Sequence, residues 1–351
     1  MRVSSRTSRR LTIALVLSLL RPVMAHASWA SDGNRVVDPS AQAAYPVMVP
    51  SDSGDVFMAW VDARSGYNTD VRATRWTPRG LAAPGWTASG DLVTALTCTK
   101  FELAATPDGA GGAFLAWGDN RCQGYRNVYL GHVTSAGVTA TFWPTNGVRC
   151  APTTQDQNLP TVTPDGQGGA FVAWEDTRNG EPDVLLQHVD IDGNVDAAWP
   201  ATGLGIAVAN GRQEKPAAVG DGAGGVFVAW LDRRLGTPQV RLSRFTSSGA
   251  PIAGWPNGGL VLATSVTTIR GLSMLADDNG GVLVAWDDLV GGGTRLVAQR
   301  VTAAGTIAFG WAPSGTVLCN ASGDRSGLRL APDGVSGAWC TWQDRRAGNW
   351  D

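Results

Sequence analysis

Carboxyl groups that could run acid–base chemistry on a sugar stand at Glu175, Glu181, Glu214, Asp277-Asp278 and Asp287-Asp288, with a phenol at Tyr125. Glycoside cleavage needs one carboxyl kept protonated as acid and a second kept ionised as base or nucleophile. An arginine cluster can add a seat for a substrate carboxylate. The arginines occur in a pattern: Arg64, Arg121, Arg178, Arg234 and Arg346 each follow an Asp by two residues, at Asp62, Asp119, Asp176, Asp232 and Asp344. A sixth such Asp, Asp288, is followed by Val290 instead. If the guanidiniums converge on one face they form an anion site; if each pairs with its own Asp they do not. A catalytic residue breaks a repeat, whereas residues kept in five or six copies read as parts of the fold. The remaining acids fall mostly in predicted turns, where solvated or capping carboxylates are ordinary.

Metal and thiol chemistry find less support. Cys98, Cys122, Cys150, Cys319 and Cys340 share no repeat position, fit no zinc spacing, and are odd in number, so at most two disulfides form. The three His are scattered. Calcium in the Asp-rich turns is the one metal worth naming; it takes six to eight oxygen ligands, and each turn supplies few acids. No other cofactor is expected.

The elements that must position these residues are set by one phrase, Gly168-Gly169-Ala170-Phe171-Val172-Ala173-Trp174-Glu175-Asp176-Thr177-Arg178-Asn179-Gly180. Its Trp recurs at Trp60, Trp117, Trp174, Trp230, Trp286 and Trp342, in steps of 56 or 57 residues. A second Trp precedes each by 31 residues, at Trp29, Trp86, Trp143, Trp199, Trp255 and Trp311. Gly follows that Trp by four residues in every unit, and 12 of the 15 Trp belong to the repeat, so chance is not the cause. The repeat units run roughly 28–84, 85–141, 142–197, 198–253, 254–309 and 310–351.

Each unit reads as four short strands. One follows the first Trp, as Leu204 to Val208. A second begins near Pro, as Leu159 to Thr163, and ends in an Asp-Gly turn, a hairpin signal. The third is the phrase. The fourth, as Val184 to Val189, alternates with polar residues and is expected further out, toward water. The phrase strand is apolar on both faces, Ala170, Val172 and Trp174 on one and Phe171 and Ala173 on the other. It must therefore be covered on both sides. Together these features predict an all-β chain: a β-propeller of about six four-stranded antiparallel blades, the last incomplete. Each buried indole contributes roughly 4–6 kcal/mol gross.

The first 27 residues are set apart. Arg2, Arg6, Arg9 and Arg10 precede an apolar run, Leu11 to Leu20, and Ala25-His26-Ala27 offers a small-x-small cleavage site. This predicts a signal peptide and a secreted or cell-surface protein, with 28–351 as the repeat domain. Export by the general or the twin-arginine route is left open. Removing five Arg and no acid takes the formal charge from −2 to −7. A mildly acidic chain without basic clusters suits neither nucleic acid nor anionic membrane, and no later stretch has a transmembrane length. The sixth unit stops at Gly348-Asn349-Trp350-Asp351, where other units begin another strand, so the expectation is a reading frame that continues further.

The frame Trp-x3-Gly, then Asp-Gly-x-Gly-Gly, then Trp-x-Asp-x-Arg-x-Gly, from Trp29 to Asp351, resembles the propeller repeats of large secreted bacterial proteins. It is distantly similar to sialidase-type propellers with Asp-box turns, although Asp165 to Gly169 lacks the Asp-box spacing. The resemblance implies fold and export. The expected role is a non-catalytic binding or scaffolding propeller for a glycan or protein ligand; the alternative is a sialidase-like glycoside hydrolase or lyase.

Overall fold

A computed structural model describes residues 30, 33–37, 42–51, 53–64, 66, 68–96, 98–265, 268–291 and 293–346. The expected leader, Trp29 and the last residues of the sixth unit lie outside the described residues.

The described residues form no helix and fall into six antiparallel sheets. The first holds β1 (Ala43–Pro50), β2 (Val56–Asp62), β3 (Asp70–Trp76) and β4 (Asp91–Thr94). The second holds β5 (Lys100–Pro107), β6 (Ala113–Asp119), β7 (Asn127–Val133) and β8 (Val148–Arg149). The third holds β9 (Gln157–Pro164), β10 (Ala170–Asp176), β11 (Asp183–Val189) and β12 (Leu204–Ala207). The fourth holds β13 (Gln213–Gly220), β14 (Val226–Asp232), β15 (Gln239–Phe245) and β16 (Leu260–Thr264). The fifth holds β17 (Thr268–Ala276), β18 (Val282–Val290), β19 (Gly293–Val301) and β20 (Thr316–Cys319). The sixth has two strands among the described residues, β21 (Arg325–Pro332) and β22 (Ala338–Asp344).

Strands within each sheet pair in chain order, and the first strand of each sheet touches the first strand of the next. The sheets therefore radiate from an axis lined by β1, β5, β9, β13, β17 and β21, which is the β-propeller arrangement. The core lies between sheets. One apolar cluster joins the first and second, another the second and third, and so on to the fifth and sixth. The phrase strands β6, β10 and β14 are buried at every residue, as their two apolar faces require.

Two expectations shift. The segment after the first Trp opens its repeat unit, yet it pairs as the outermost strand of the preceding sheet, so sheet and repeat unit are offset by one strand. The alternating segment expected near water is instead interior: β11 is buried throughout. Its polar residues find partners there. Gln187 Nε2 donates to the carbonyls of Cys150 and Pro200, and His188 sits between two aspartates.

The paired indoles have distinct tasks. The second Trp packs its sheet against the preceding one; Trp117, Trp174 and Trp230 are fully buried. Gly203, at φ +83°, lies flat on Trp174, where an added Cβ would come within 2.8 Å of the ring. The first Trp bolts one sheet to the next. Trp143 Nε1 donates to Ile191 O at 2.8 Å and Trp199 Nε1 to Ser247 O at 2.8 Å.

The Asp-Gly turns carry a second recurring device. Asp165 Oδ1 accepts the amides of Gln167 and Gly169, at 2.6 and 3.0 Å. Its other oxygen meets a nitrogen-bearing side chain from the third strand. That side chain is Arg in the fourth and fifth sheets, Arg244 with Asp221 and Arg300 with Asp277. It is His132 with Asp108 in the second and His188 with Asp165 in the third. His188 Nδ1 also meets Asp196, both contacts at 2.9 Å. Burial pulls the His188 pKa down, but the hydrogen bonds and charges of Asp165 and Asp196 outweigh it, so the net shift is upward from 6.5. A raised folded-state pKa gives stability that is complete below about 6.5 and lost as pH rises through the folded value. Asp165 and Asp196 are shifted down, so their share is present above 3.8 and lost as pH falls through their folded values. The loss of melting temperature caused by His188→Gln should therefore be larger at pH 5.5 than at pH 8.5. Equal losses at both would mean the imidazolium is not what holds the turn.

Cys98 and Cys122 form a disulfide between the loop before β5 and the turn after β6; Cys150, Cys319 and Cys340 are free thiols.

Candidate functional site

The phrase turn comes first, because it holds the repeated Asp and Arg. Arg178 grips Asp176 through Nε (2.7 Å) and Nη2 (2.6 Å) and through its own amide (3.0 Å). Trp174 Nε1 and Gln157 Nε2 complete the shell of Asp176, at 3.1 and 3.0 Å. Arg64 on Asp62 and Arg234 on Asp232 repeat this pairing, as does Arg346 on Asp344. Arg121 is looser, 3.4 Å from Asp119, and lies over the Tyr129 ring. Each guanidinium is committed to its own sheet, so the five make no shared anion site.

The fifth unit shows how the fold manages without that Arg. Here β18 and β19 run on until Val290 pairs Gly293, replacing the phrase turn by a tight hairpin. Asp288 instead takes Arg295 Nη2 at 2.6 Å and Ser265 Oγ at 2.5 Å.

The departures from the repeat gather elsewhere, on the axis. Every first strand is interrupted by a bulge at the same place, at Ala44/Val47, Phe101/Ala104, Glu214/Ala217, Ile269/Leu272 and Ser326/Arg329, with the third-sheet irregularity facing Ala173/Glu175. The bulged residue stands fifteen before the phrase Trp: Tyr45, Glu102, Leu159, Lys215, Gly271 and Gly327. The four that are not Gly are held at φ +51°, +51°, +49° and +55°. A left-handed backbone is costly for such residues, about 1–2 kcal/mol each. The bulges face a cavity of about 470 Å³ lined by Tyr45, Glu102, Leu159, Lys215, Arg270 and Arg329, among others.

Bonds between neighbouring sheets link these residues around the axis. Glu102 Oε2 accepts the amide of Leu159 at 2.6 Å, and Glu175 Oε1 that of Lys215 at 2.7 Å. Lys215 Nζ donates to Arg270 O at 2.6 Å, and Arg270 Nη1 to Asp324 Oδ1 at 2.7 Å. Asp287 Oδ1 takes the two amides of its own bulge, Arg270 at 2.8 Å and Gly271 at 2.6 Å. Carboxylates thus satisfy backbone groups that the bulges take out of the ladder.

The electrostatics sort the acids. Burial pushes the carboxyl of Glu175 up, only partly offset by the Lys215 amide. Burial does the same to Asp287, against the amides of Gly271 and Arg270. Glu214 is also raised by burial, but Arg233 at 2.7 Å and Arg212 at 3.1 Å outweigh this and hold it below the usual carboxylate range. Two carboxyls are therefore biased toward the acid form and one toward the base form near one mouth of the axis.

Of the acids singled out from the sequence, Glu175, Glu214 and Asp287 come together at this mouth, and Glu181 joins its rim through Arg212 at 3.3 Å. Asp277 and Asp278 lie at the opposite end; Asp277 holds its turn with Arg300, and Asp278 bonds Ser336. Asp288 is the phrase Asp of its sheet, and Tyr125 stands in the phrase turn of the second. The sequence reading missed Tyr45, Glu102, Leu159, Lys215, Arg270 and Arg329. The signal was available: the position fifteen before the phrase Trp varies freely inside an otherwise constant frame. Among the described residues no three His, Cys, Asp or Glu stand together as a metal site, and no helix is long and apolar enough to cross a membrane.

No family model and no curated protein matches the chain. Solved structures do. A protein of unknown function from Dyadobacter fermentans is similar at 13% identity and TM-score 0.53, over 88% of this chain and 92% of that one. The Hadza microbial sialidase Hz136 is similar at 11% identity and TM-score 0.50, over 82% of this chain and 60% of the sialidase. A polysaccharide lyase, an ulvan lyase bound to -[GlcA(1-4)Rha3S]-, is similar at 9% identity and TM-score 0.51, over 91% and 79%. At such identities the likeness concerns the fold alone, and the fold these comparisons and the six radial sheets share is the β-propeller.

Proposed function

We propose that this chain is an exported propeller that binds a glycan in the axial cavity without transforming it. The observation that carries the reading is the set of four unlike, non-glycine side chains held in left-handed backbone around one cavity. Glycine would relieve that strain, and at the same position of the sixth sheet Gly327 takes the left-handed backbone, at φ +67°. Strain retained where side chains meet a cavity is a mark of ligand sites. Export rests on residues 1–27, read as a signal peptide cleaved near Ala27. The sialidase and the lyase among the structural neighbours are carbohydrate-active proteins on the same fold, which supports a saccharide over a protein ligand.

A second reading, glycoside hydrolysis or elimination at the same mouth, is favoured by one specific feature: Glu175 and Asp287 have carboxyls pushed up by burial, and Glu214 is held ionised beside two arginines. Against it, Glu175 and Asp287 already spend an oxygen each on backbone amides.

A glycan array probed with the mature protein, followed by product analysis of every bound glycan, separates the two. Binding without new reducing ends or unsaturated products, unchanged in Glu175→Gln, is the expected result. Product formation that Glu175→Gln abolishes while binding persists would replace binding by catalysis. No bound glycan at all would sink both readings.

A further inference from the structure

The mature chain is acidic, yet its axial cavity is not. Lys215, Arg270 and Arg329 line it, from three successive sheets, against Glu102 as the one acid of the lining. Their partners leave donors to spare. Lys215 Nζ spends one bond on Arg270 O, and Arg329 Nη1 one on Leu328 O at 2.8 Å; both acceptors are main-chain carbonyls. Arg270 gives Nη1 to Asp324, a half-exposed pair at the rim. An ammonium has three donors and a guanidinium five, so each keeps donors that these bonds do not use. Asp287 lies within electrostatic reach of Arg270 and Lys215, whereas Arg329 bonds no acid among the described residues. Glu214 is neutralised by Arg212 and Arg233, and Glu175 and Asp287 lie buried behind the lining on backbone amides.

Lys215 adds an independent observation. It is one of the four strained positions, at φ +55°, and it precedes Pro216. A residue before proline is driven to extended backbone, so a left-handed lysine there is opposed twice. Gly327, its equivalent in the sixth sheet at φ +67°, shows that the left-handed bulge forms without any side chain. What the strain secures at Lys215 is an ammonium aimed at the axis.

Resting on the binding role proposed above, we infer that the axial ligand is an anionic oligosaccharide whose carboxylate or sulfate groups are clamped by Lys215, Arg270 and Arg329. Two of these are guanidiniums, whose planar fork suits a two-oxygen anion, and the ammonium supplies a movable point charge. Tyr45, nearly half exposed on the same lining, offers a ring face to the apolar side of a sugar. The clamp acts at contact distance in a cavity, so salt weakens it less than it weakens widely separated exposed charges.

Calorimetry with the mature protein uses four probes: a galacturonate oligomer, the same oligomer fully methyl-esterified, a sulfated neutral galactan oligomer, and its desulfated form. Binding of at least one charged member, weakened about tenfold or more in its uncharged counterpart, is expected. The two charged arms tell carboxylate from sulfate. Lys215→Met and Arg329→Met should each weaken the charged ligand several-fold and leave the uncharged one unchanged. Lys215→Gly serves as the folding control, since it removes the ammonium while relieving the backbone. Equal affinity for charged and uncharged members overturns the clamp and leaves the glycan reading intact. Binding of none of the four, with nothing on the glycan array either, overturns both.

Discussion

Trp230→Ala is expected to destabilise the protein by about 3–5 kcal/mol, the range for emptying a buried aromatic site. The indole is fully buried, packs with Val184 and Ala207 of the neighbouring sheet, and donates Nε1 to Asp232 at 3.0 Å. Gly259 lies against its far edge, where an added Cβ would come within 2.5 Å, so the ring fills its space to the wall. Close packing of this kind cannot collapse without moving two sheets, and that places the cost at the upper part of the range. Trp230→Phe should lose less, because much of the apolar area remains and only the Nε1 bond to Asp232 is surrendered. Trp339→Ala is the control. Its side chain is 68% exposed, and its removal should change stability by about 0.5 kcal/mol or less. Denaturant midpoints of the three variants decide the matter. Similar losses for Trp230 and Trp339 would mean that the repeated indoles are not what joins the sheets.

Much of this architecture can be read from periodicity, because the forces that build it repeat. A strand apolar on both faces has to lie between two sheets, and six of them in step leave few arrangements other than a ring. The offset between sheet and repeat unit was not legible. The segment after the first Trp is equally compatible with opening one sheet or closing another, and only the direction of its hydrogen bonds decides. Val184 to Val189 was misplaced toward water for a related reason. Its alternation is real, but Gln187 and His188 carry their own partners inward, and a hydropathy pattern does not see those partners.

The axial residues were hidden for a different reason. A search for repeated signals discards the position that differs in each copy, and Tyr45, Glu102, Leu159 and Lys215 occupy such a position. Local rules also pointed away from it. Tyr45, Leu159 and Lys215 each precede a proline, where extended backbone is expected, and all three are left-handed. The tertiary bulge overrides local preference there, and conflict between the two levels is what separates this ring from the rest of the frame. Replacement of the phrase arginine by Val290 was visible, but its compensation by Arg295 and Ser265 was not, because neither belongs to the phrase.

Asp176 tests that phrase most severely. Its carboxylate has no exposure and accepts from Trp174, Gln157 and Arg178, with Arg178 contributing both side chain and amide. Burial alone would raise its pKa, but the bonds from Arg178, Trp174 and Gln157 outweigh burial and hold it below the usual range. Asp176→Ala strands those donors in the interior, and the loss of one partner from a buried charged network costs about 3–5 kcal/mol. Asp176→Asn keeps the shape but turns an amide –NH2 toward groups that can only donate, so it should recover little. The informative variant is Asp176→Leu combined with Arg178→Leu. Removing the two charged partners together leaves no uncompensated charge, and such replacements are often close to neutral. The double variant should therefore be more stable than Asp176→Ala. Because the folded pKa is depressed, the stability due to Asp176 is complete above 3.8 and fades as pH falls through the folded value. The gap in denaturant midpoint between wild type and Asp176→Ala should accordingly narrow at acid pH, while the gap for Trp230→Ala, which is mainly a packing loss, should narrow less. If both gaps close together, the carboxylate is a bystander of the indole packing, and the Asp-x-Arg pair would have to be explained by folding kinetics or by a partner surface instead.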